Sequence, residues 1–67
     1  MKMSDLTKQE AEQALKNGYK IYLDDNSKYL KAEGINKEKF YDQTGFNFTE
    51  WFYLHAPKKG WNIYVNN

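Results

Sequence analysis

The sequence predicts an α+β fold, an N-terminal helix packed on a small antiparallel β-sheet, in a single domain spanning residues 1–67. Two observations carry that expectation. The stretch "LTKQEAEQALKNG" has apolar residues at three- and four-residue spacing between helix start and stop signals. Later, "YKIYL" and "WNIYV" are short, rich in aromatic and branched residues, and alternate as half-buried strands do. With 67 residues and no cysteine, the chain has no disulfide or thiolate metal site to brace it. A domain this small depends on dense packing or on oligomerisation.

The helix has both ends marked. Thr7 is a good N-cap, and Glu10 completes a capping box three residues later. Leu6 can staple onto Ala11. Lys16 suits the negative end of the helix dipole, and Gly18 fits the left-handed position that ends a helix. Ala11, Ala14, Leu15 and Gly18 form one narrow apolar face, small enough to lie close to a sheet.

A strand follows at Tyr19–Leu23, with Tyr19, Ile21 and Leu23 on one side and Lys20 and Tyr22 on the other. Asp24 to Ser27 reads as a solvated turn. Ser27 or Asn26 then caps a short helical segment, "KYLKAEG", that buries Tyr29 and Leu30 and ends at Gly34; a strand is the alternative. "EKFYDQTGFNF" reads as a hairpin turning at Asp42 to Gly45, with Phe46 and Phe48 alternating on the return. "TEWFYLH" fits either a continuing strand or a short helix capped by Thr49. "APKKG" is a connection, and "WNIYV" is the last strand, with Trp61, Ile63 and Val65 on one side.

Charge excludes several classes of function. Ten lysines and nine acids are interspersed and leave a net charge of +1. No basic block is visible in the linear sequence, and arginine, the preferred side chain for bidentate phosphate and guanine contacts, is absent. Nucleic acid is therefore not the expected partner, and the balance is too neutral for an acidic DNA mimic. "MKMSDLTKQE" holds no apolar signal region, and no stretch approaches the roughly 20 apolar residues of a membrane span. A soluble protein of the (host-cell) cytoplasm is expected.

Catalytic chemistry is sparse, and no enzyme is expected. His55 is the one side chain whose ordinary pKa suits a general base. Ser4 and Ser27 lie in cap or turn contexts, far from any nucleophile motif. A single histidine and no ligand spacing leave no metal or other cofactor expected.

The functional interest lies in the aromatics, two tryptophans, six tyrosines and four phenylalanines. Phe40, Phe46, Phe48, Phe52, Leu54 and Ile63 are expected to be mostly core. Tyrosine and tryptophan suit interfaces, because one end is apolar and the other forms hydrogen bonds. Tyr22, Trp51, Tyr53 and Trp61 are the candidates, with Lys20, Asn47, Thr49 and His55 beside them. Aromatics next to Asn, Thr and Lys can stack a nucleobase and hold its phosphate. Whether Trp51 and Tyr53 face out depends on the helix-or-strand choice at residues 49–55.

The opening "EAEQALKNGYKI" resembles the EAL-x-x-L/M-x-x-G-K-x-V/I start of many small phage-encoded proteins, and "GWNIYV" resembles their W-x-I/V finish. "GFNFTEW" is similar to segments of uncharacterised phage proteins. A helix-to-strand start of this kind is similar to that of the phage Thoeris anti-defence family. That resemblance covers about a third of the chain. It implies a homodimer or homotetramer that sequesters a cyclic ADP-ribose-type or other nucleotide signal. The centre departs from the pattern: "DDNSKYL" stands where that family often has a basic residue and a tryptophan. The competing expectation is a protein-binding inhibitor, anti-CRISPR-like or a host-takeover factor, that docks an aromatic patch on a host or defence protein.

Overall fold

A computed structural model describes residues 3–23 and 28–65. Among these residues the order is α1 (Lys8–Lys16), β1 (Lys20–Leu23), β2 (Tyr29–Glu33), β3 (Lys39–Asp42), α2 (Thr49–His55) and β4 (Trp61–Tyr64). The strands form one antiparallel sheet in the order β3-β2-β1-β4. The α+β expectation holds, with a second short helix added.

Helix α1 forms as its sequence dictates. The Thr7 hydroxyl accepts the Glu10 N–H at 3.1 Å, and the Glu10 carboxylate accepts the Thr7 N–H at 2.9 Å. At the other end Gly18 takes φ +90°, and Gly18 and Tyr19 donate back to the carbonyls of Leu15 and Ala14. Two orphan carbonyls of the last turn are thereby satisfied. Ala11, Ala14 and Leu15 are fully buried and set α1 against β1, β2 and β4.

Pairing partners Ile21 with Leu30 and Ile63, and Ala32 with Phe40, so these side chains share one face of the sheet. Both helices pack on that face. Phe52 of α2 meets Phe40 edge-on at 5.2 Å and Trp61 at 5.5 Å, and all three rings are buried. Each contributes about 1.5–3 kcal/mol by leaving water. The Trp61 Nε1–H donates to the Pro57 carbonyl at 2.9 Å, which satisfies the one polar atom of that side chain.

Five expectations are corrected. "KYLKAEG" is not helical: Tyr29–Glu33 is strand β2, paired on both sides, with Leu30 buried and Tyr29 half-buried. The return of the expected hairpin is no strand, only one bridge between Tyr41 and Asn47. Thr49 is not the cap of α2. Phe48 holds that position without a side-chain bond, while the Thr49 hydroxyl accepts the Phe40 N–H at 2.8 Å. Phe46 and Leu54 are not core, being 64% and 66% exposed. Val65 lies past β4 and is exposed as well. Asp24 to Ser27, where a turn is expected, lie outside the described residues.

Both sheet edges are occupied. Along β4, Leu6 and Trp61 exchange N–H···O bonds of 2.6 and 3.1 Å, and Ile63 donates to Met3 at 2.8 Å. Along β3, Phe48 donates to the Phe40 carbonyl at 2.8 Å and Asp42 to the Phe46 carbonyl at 3.0 Å. Covered edges offer little template for adding a strand. No helix among the described residues is long and apolar enough to cross a membrane.

Candidate functional site

The sheet has a second face, away from both helices. Alternation along the strands places Lys20 and Tyr22, Tyr29, Lys31 and Glu33, Lys39 and Tyr41, and Asn62 and Tyr64 there. Each of the four strands contributes one tyrosine. No aliphatic side chain lies among these positions. Three lysines against one glutamate give this face a formal charge of +2, while the whole chain carries +1.

The tyrosines form a cluster. Tyr29 and Tyr64 are 4.8 Å apart between ring centroids and tilted by 39°. Tyr22 meets Tyr64 edge-on at 6.0 Å. The Lys20 ammonium stands 4.8 Å from the centre of the Tyr29 ring, a cation–π distance. Lys31 pairs with Glu33 at 3.3 Å, both partly exposed. Asn62 is buried, where its Oδ1 accepts the Asp5 N–H at 3.1 Å and its Nδ2 donates to the Gly60 carbonyl at 3.3 Å.

The helix face holds a different feature, a mostly apolar pocket of about 250 Å³ between α2 and the β1–β2 end of the sheet. Leu23, Leu30, Phe48, Trp51 and Trp61 form much of its wall, and Tyr22, Lys28 and Tyr29 reach it from the β1–β2 end. It lies just below the roughly 300–1,000 Å³ of ordinary ligand pockets. The rings of Phe46, Phe48 and Trp51 follow one another at 4.9 and 5.7 Å, leading from the exposed rim into the pocket.

Asp42 lies at this pocket and is buried, but its carboxylate braces a turn. Oδ1 accepts the Thr44 hydroxyl at 2.6 Å and the N–H groups of Thr44 and Phe46 at 2.8 and 3.0 Å. The Thr44 hydroxyl is the main reason its pKa falls below the ordinary carboxylate value; burial works against it, and the two N–H groups and the Lys28 charge add to the lowering. An acid held ionised by three donors is a poor proton donor near neutral pH.

The residues singled out in the sequence do not converge on one place. Lys20 and Tyr22 lie on the outer sheet face. Trp51 is half-buried, 5.7 Å from Phe48 and 6.3 Å from Trp61, and forms a pocket wall. Trp61 is only 2% exposed and belongs to the core. Asn47 accepts the Thr49 N–H at 2.9 Å, and the Thr49 hydroxyl is used at the β3 edge, so both serve the local backbone. Tyr53 is 42% exposed, and its hydroxyl donates to Glu12 at 2.9 Å. Burial and that carboxylate raise its pKa above the usual phenol value. In return, the Lys8 ammonium donates to the Tyr53 carbonyl at 2.7 Å, latching α1 to the C-terminal turn of α2. His55 is exposed at the last position of α2.

Tyr29, Tyr41, Tyr64 and Lys31 were not singled out in the sequence. Reading "YLKAE" as a strand would have aligned Tyr29 and Lys31 with Lys20 and Tyr22. No group of three or more His, Asp or Glu side chains is placed to hold a metal ion among the described residues. No protein-family model, curated protein or solved structure matches the chain.

Proposed function

We propose that the protein is a non-catalytic binding module for nucleotide-type ligands, carried by the outer face of the sheet. The observation that carries this reading is the Lys20 ammonium 4.8 Å over the Tyr29 ring, with Tyr22 and Tyr64 packed alongside. Tyrosine faces stack bases, and lysine ammonium groups hold phosphate as point charges. The absence of aliphatic residues from the described strand positions of this face is unlike the apolar centre of an obligate subunit interface. Sequestration of a nucleotide signal by a phage anti-defence protein, as the resemblance implies, is one setting for such a module. Homo-oligomerisation belongs to the same proposal; with both sheet edges covered, copies would meet through side-chain surfaces. Calorimetry with adenosine monophosphate, a cyclic dinucleotide and cyclic ADP-ribose tests the reading. Heat from at least one member, lost in Tyr64→Ala, is expected. No heat from any nucleotide, oligonucleotides included, overturns it.

A second reading has its own observation. Phe46, 64% exposed, stands beside Phe48 at the rim of the apolar pocket. Such a rim and socket suit an apolar side chain of a partner protein, as an inhibitor would use. A complex recovered from host lysate with the protein but not with Phe46→Ser supports it. Equal recovery with both counts against it.

A further inference from the structure

The proposed nucleotide-type ligand has a more specific form. We infer that the outer sheet face binds single-stranded nucleic acid, as an extended strand lying across the sheet. This inference rests on the reading above and narrows its ligand class.

Three features separate a strand from a free mononucleotide. The first is shape. Small ligands are held in concave sites that bury about 70–90% of their surface. The apolar pocket beside α2 reaches Tyr22 and Tyr29 at the β1–β2 end of the sheet, whereas Tyr41, Tyr64, Lys20, Lys31 and Lys39 lie away from it on the open side. An open sheet holds one nucleotide weakly and gains affinity by repeating the contact along a chain. A four-stranded sheet with aromatic side chains stacks about two or three bases.

The second is distribution. Tyr41, Tyr29, Tyr22 and Tyr64 come one from each strand, so stacking partners cross the full width of the sheet. At about 4.8 Å per strand step, β3 and β4 are roughly 14 Å apart. One base covers only part of that width.

The third is charge. Lys20, Lys31 and Lys39 belong to three adjacent strands and bring positive charge to the same face, in part offset by Glu33, which pairs with Lys31 and stands opposite Lys39. Separated phosphates complement such a row better than one clustered phosphate group does. Lysine serves here without arginine, because base stacking needs a π face and a phosphate needs only a nearby positive charge. Duplex DNA is a poor fit, since its bases already stack on one another and leave the tyrosines nothing to stack on.

The test is fluorescence anisotropy with labelled octathymidylate and octauridylate, competed by thymidine and uridine monophosphate. At least one oligonucleotide is expected to bind ten-fold or more tighter than its mononucleotide. Its log–log salt slope is expected to be about −1.4, the value for two phosphates neutralised on a single strand, since Glu33 already pairs with Lys31. Tyr64→Ala should weaken binding roughly ten-fold or more through lost stacking. Lys20→Gln, which removes one charge and no ring, should make the slope shallower by about 0.7. That change reports charge and would not follow from a mere loss of fold. Mononucleotides binding as tightly as the oligonucleotides would overturn this inference and leave the broader reading standing. Absence of binding by any of these probes would overturn this inference, and the broader reading falls with it only if adenosine monophosphate, the cyclic dinucleotide and cyclic ADP-ribose also give no heat. Oligonucleotide binding insensitive to both Tyr64→Ala and Lys20→Gln would place the contact elsewhere and overturn the inference as well.

Discussion

The Phe40 N–H donates to the Thr49 hydroxyl at 2.8 Å, joining the outer edge of β3 to the first residue of α2. Phe40 is fully buried, so its amide has no water to turn to. Thr49→Val keeps the side-chain shape and removes the acceptor. It should cost about 1–3 kcal/mol, the penalty for a stranded buried donor. Each kcal/mol lowers the melting midpoint by roughly 4–8 °C in a domain of this size. Hydrogen exchange locates the effect: the Phe40 amide should lose protection first, and unchanged protection there would show the bond to be unimportant.

That bond also explains why the cap signal at Thr49 does not hold. Thr49 precedes an apolar helical run and satisfies the local rule for a cap, but its hydroxyl is taken by a residue nine positions earlier. Helix α1 was legible because its cap, box and terminal glycine all act within a few residues of one another. Strand β2 was not, because "KYLKAEG" has too little periodicity of its own and its identity comes from pairing with β1 and β3. The outer face is hidden in the sequence for the same reason. Lys20, Lys31 and Lys39 are well apart in the chain, and a helical β2 would have scattered them. The linear sequence therefore showed no basic cluster, although the sheet assembles one.

The capping box of α1 sets a second expectation. Thr7 satisfies the Glu10 amide at the exposed start of the helix. Thr7→Ala should destabilise the fold by about 1 kcal/mol, and Thr7→Ser by much less. Denaturation midpoints of the pair measure this. Equal midpoints for Ala and Ser would mean that the hydroxyl contributes nothing.

Asp42 gives the fold an acid-sensitive turn. Its folded pKa lies below the ordinary value, so the unfolded chain takes up the proton more readily. The stabilisation is complete above the unfolded carboxylate value of about 3.9 and is lost as pH falls through the lower folded value. Urea midpoints measured downward from about pH 5 should fall in this window. Asp42→Asn should be less stable at neutral pH and flatter below it. A slope unchanged in the variant would assign the acid sensitivity to other carboxylates.

Lys20 is the cleanest probe of the outer face, because little of the fold depends on it. Its cation–π contact with Tyr29 is worth about 0.5–1 kcal/mol at a solvent-facing site. Lys20→Gln should therefore melt within a few degrees of the parent protein. Nucleotide or oligonucleotide binding should nevertheless weaken, with most of the loss at low salt, where charge is least screened. A loss of affinity equal at low and high salt would mean that Lys20 acts by holding Tyr29 in place rather than by meeting phosphate.

Phe46 separates folding from partner contact on the opposite side. It is 64% exposed, and its backbone, not its ring, forms the bonds to Asp42. Phe46→Ser should therefore change stability by no more than about 0.5 kcal/mol. Trp51→Ala should cost more, because the Trp51 ring packs against Phe48 and Trp61. If the pocket rim docks a partner protein, Phe46→Ser removes that binding while the melting curve and the outer-face nucleotide affinity stay unchanged. A simultaneous fall in nucleotide affinity would instead mean that the two faces are coupled through the sheet. Thermal melts, partner capture and nucleotide titration on this one variant distinguish those outcomes.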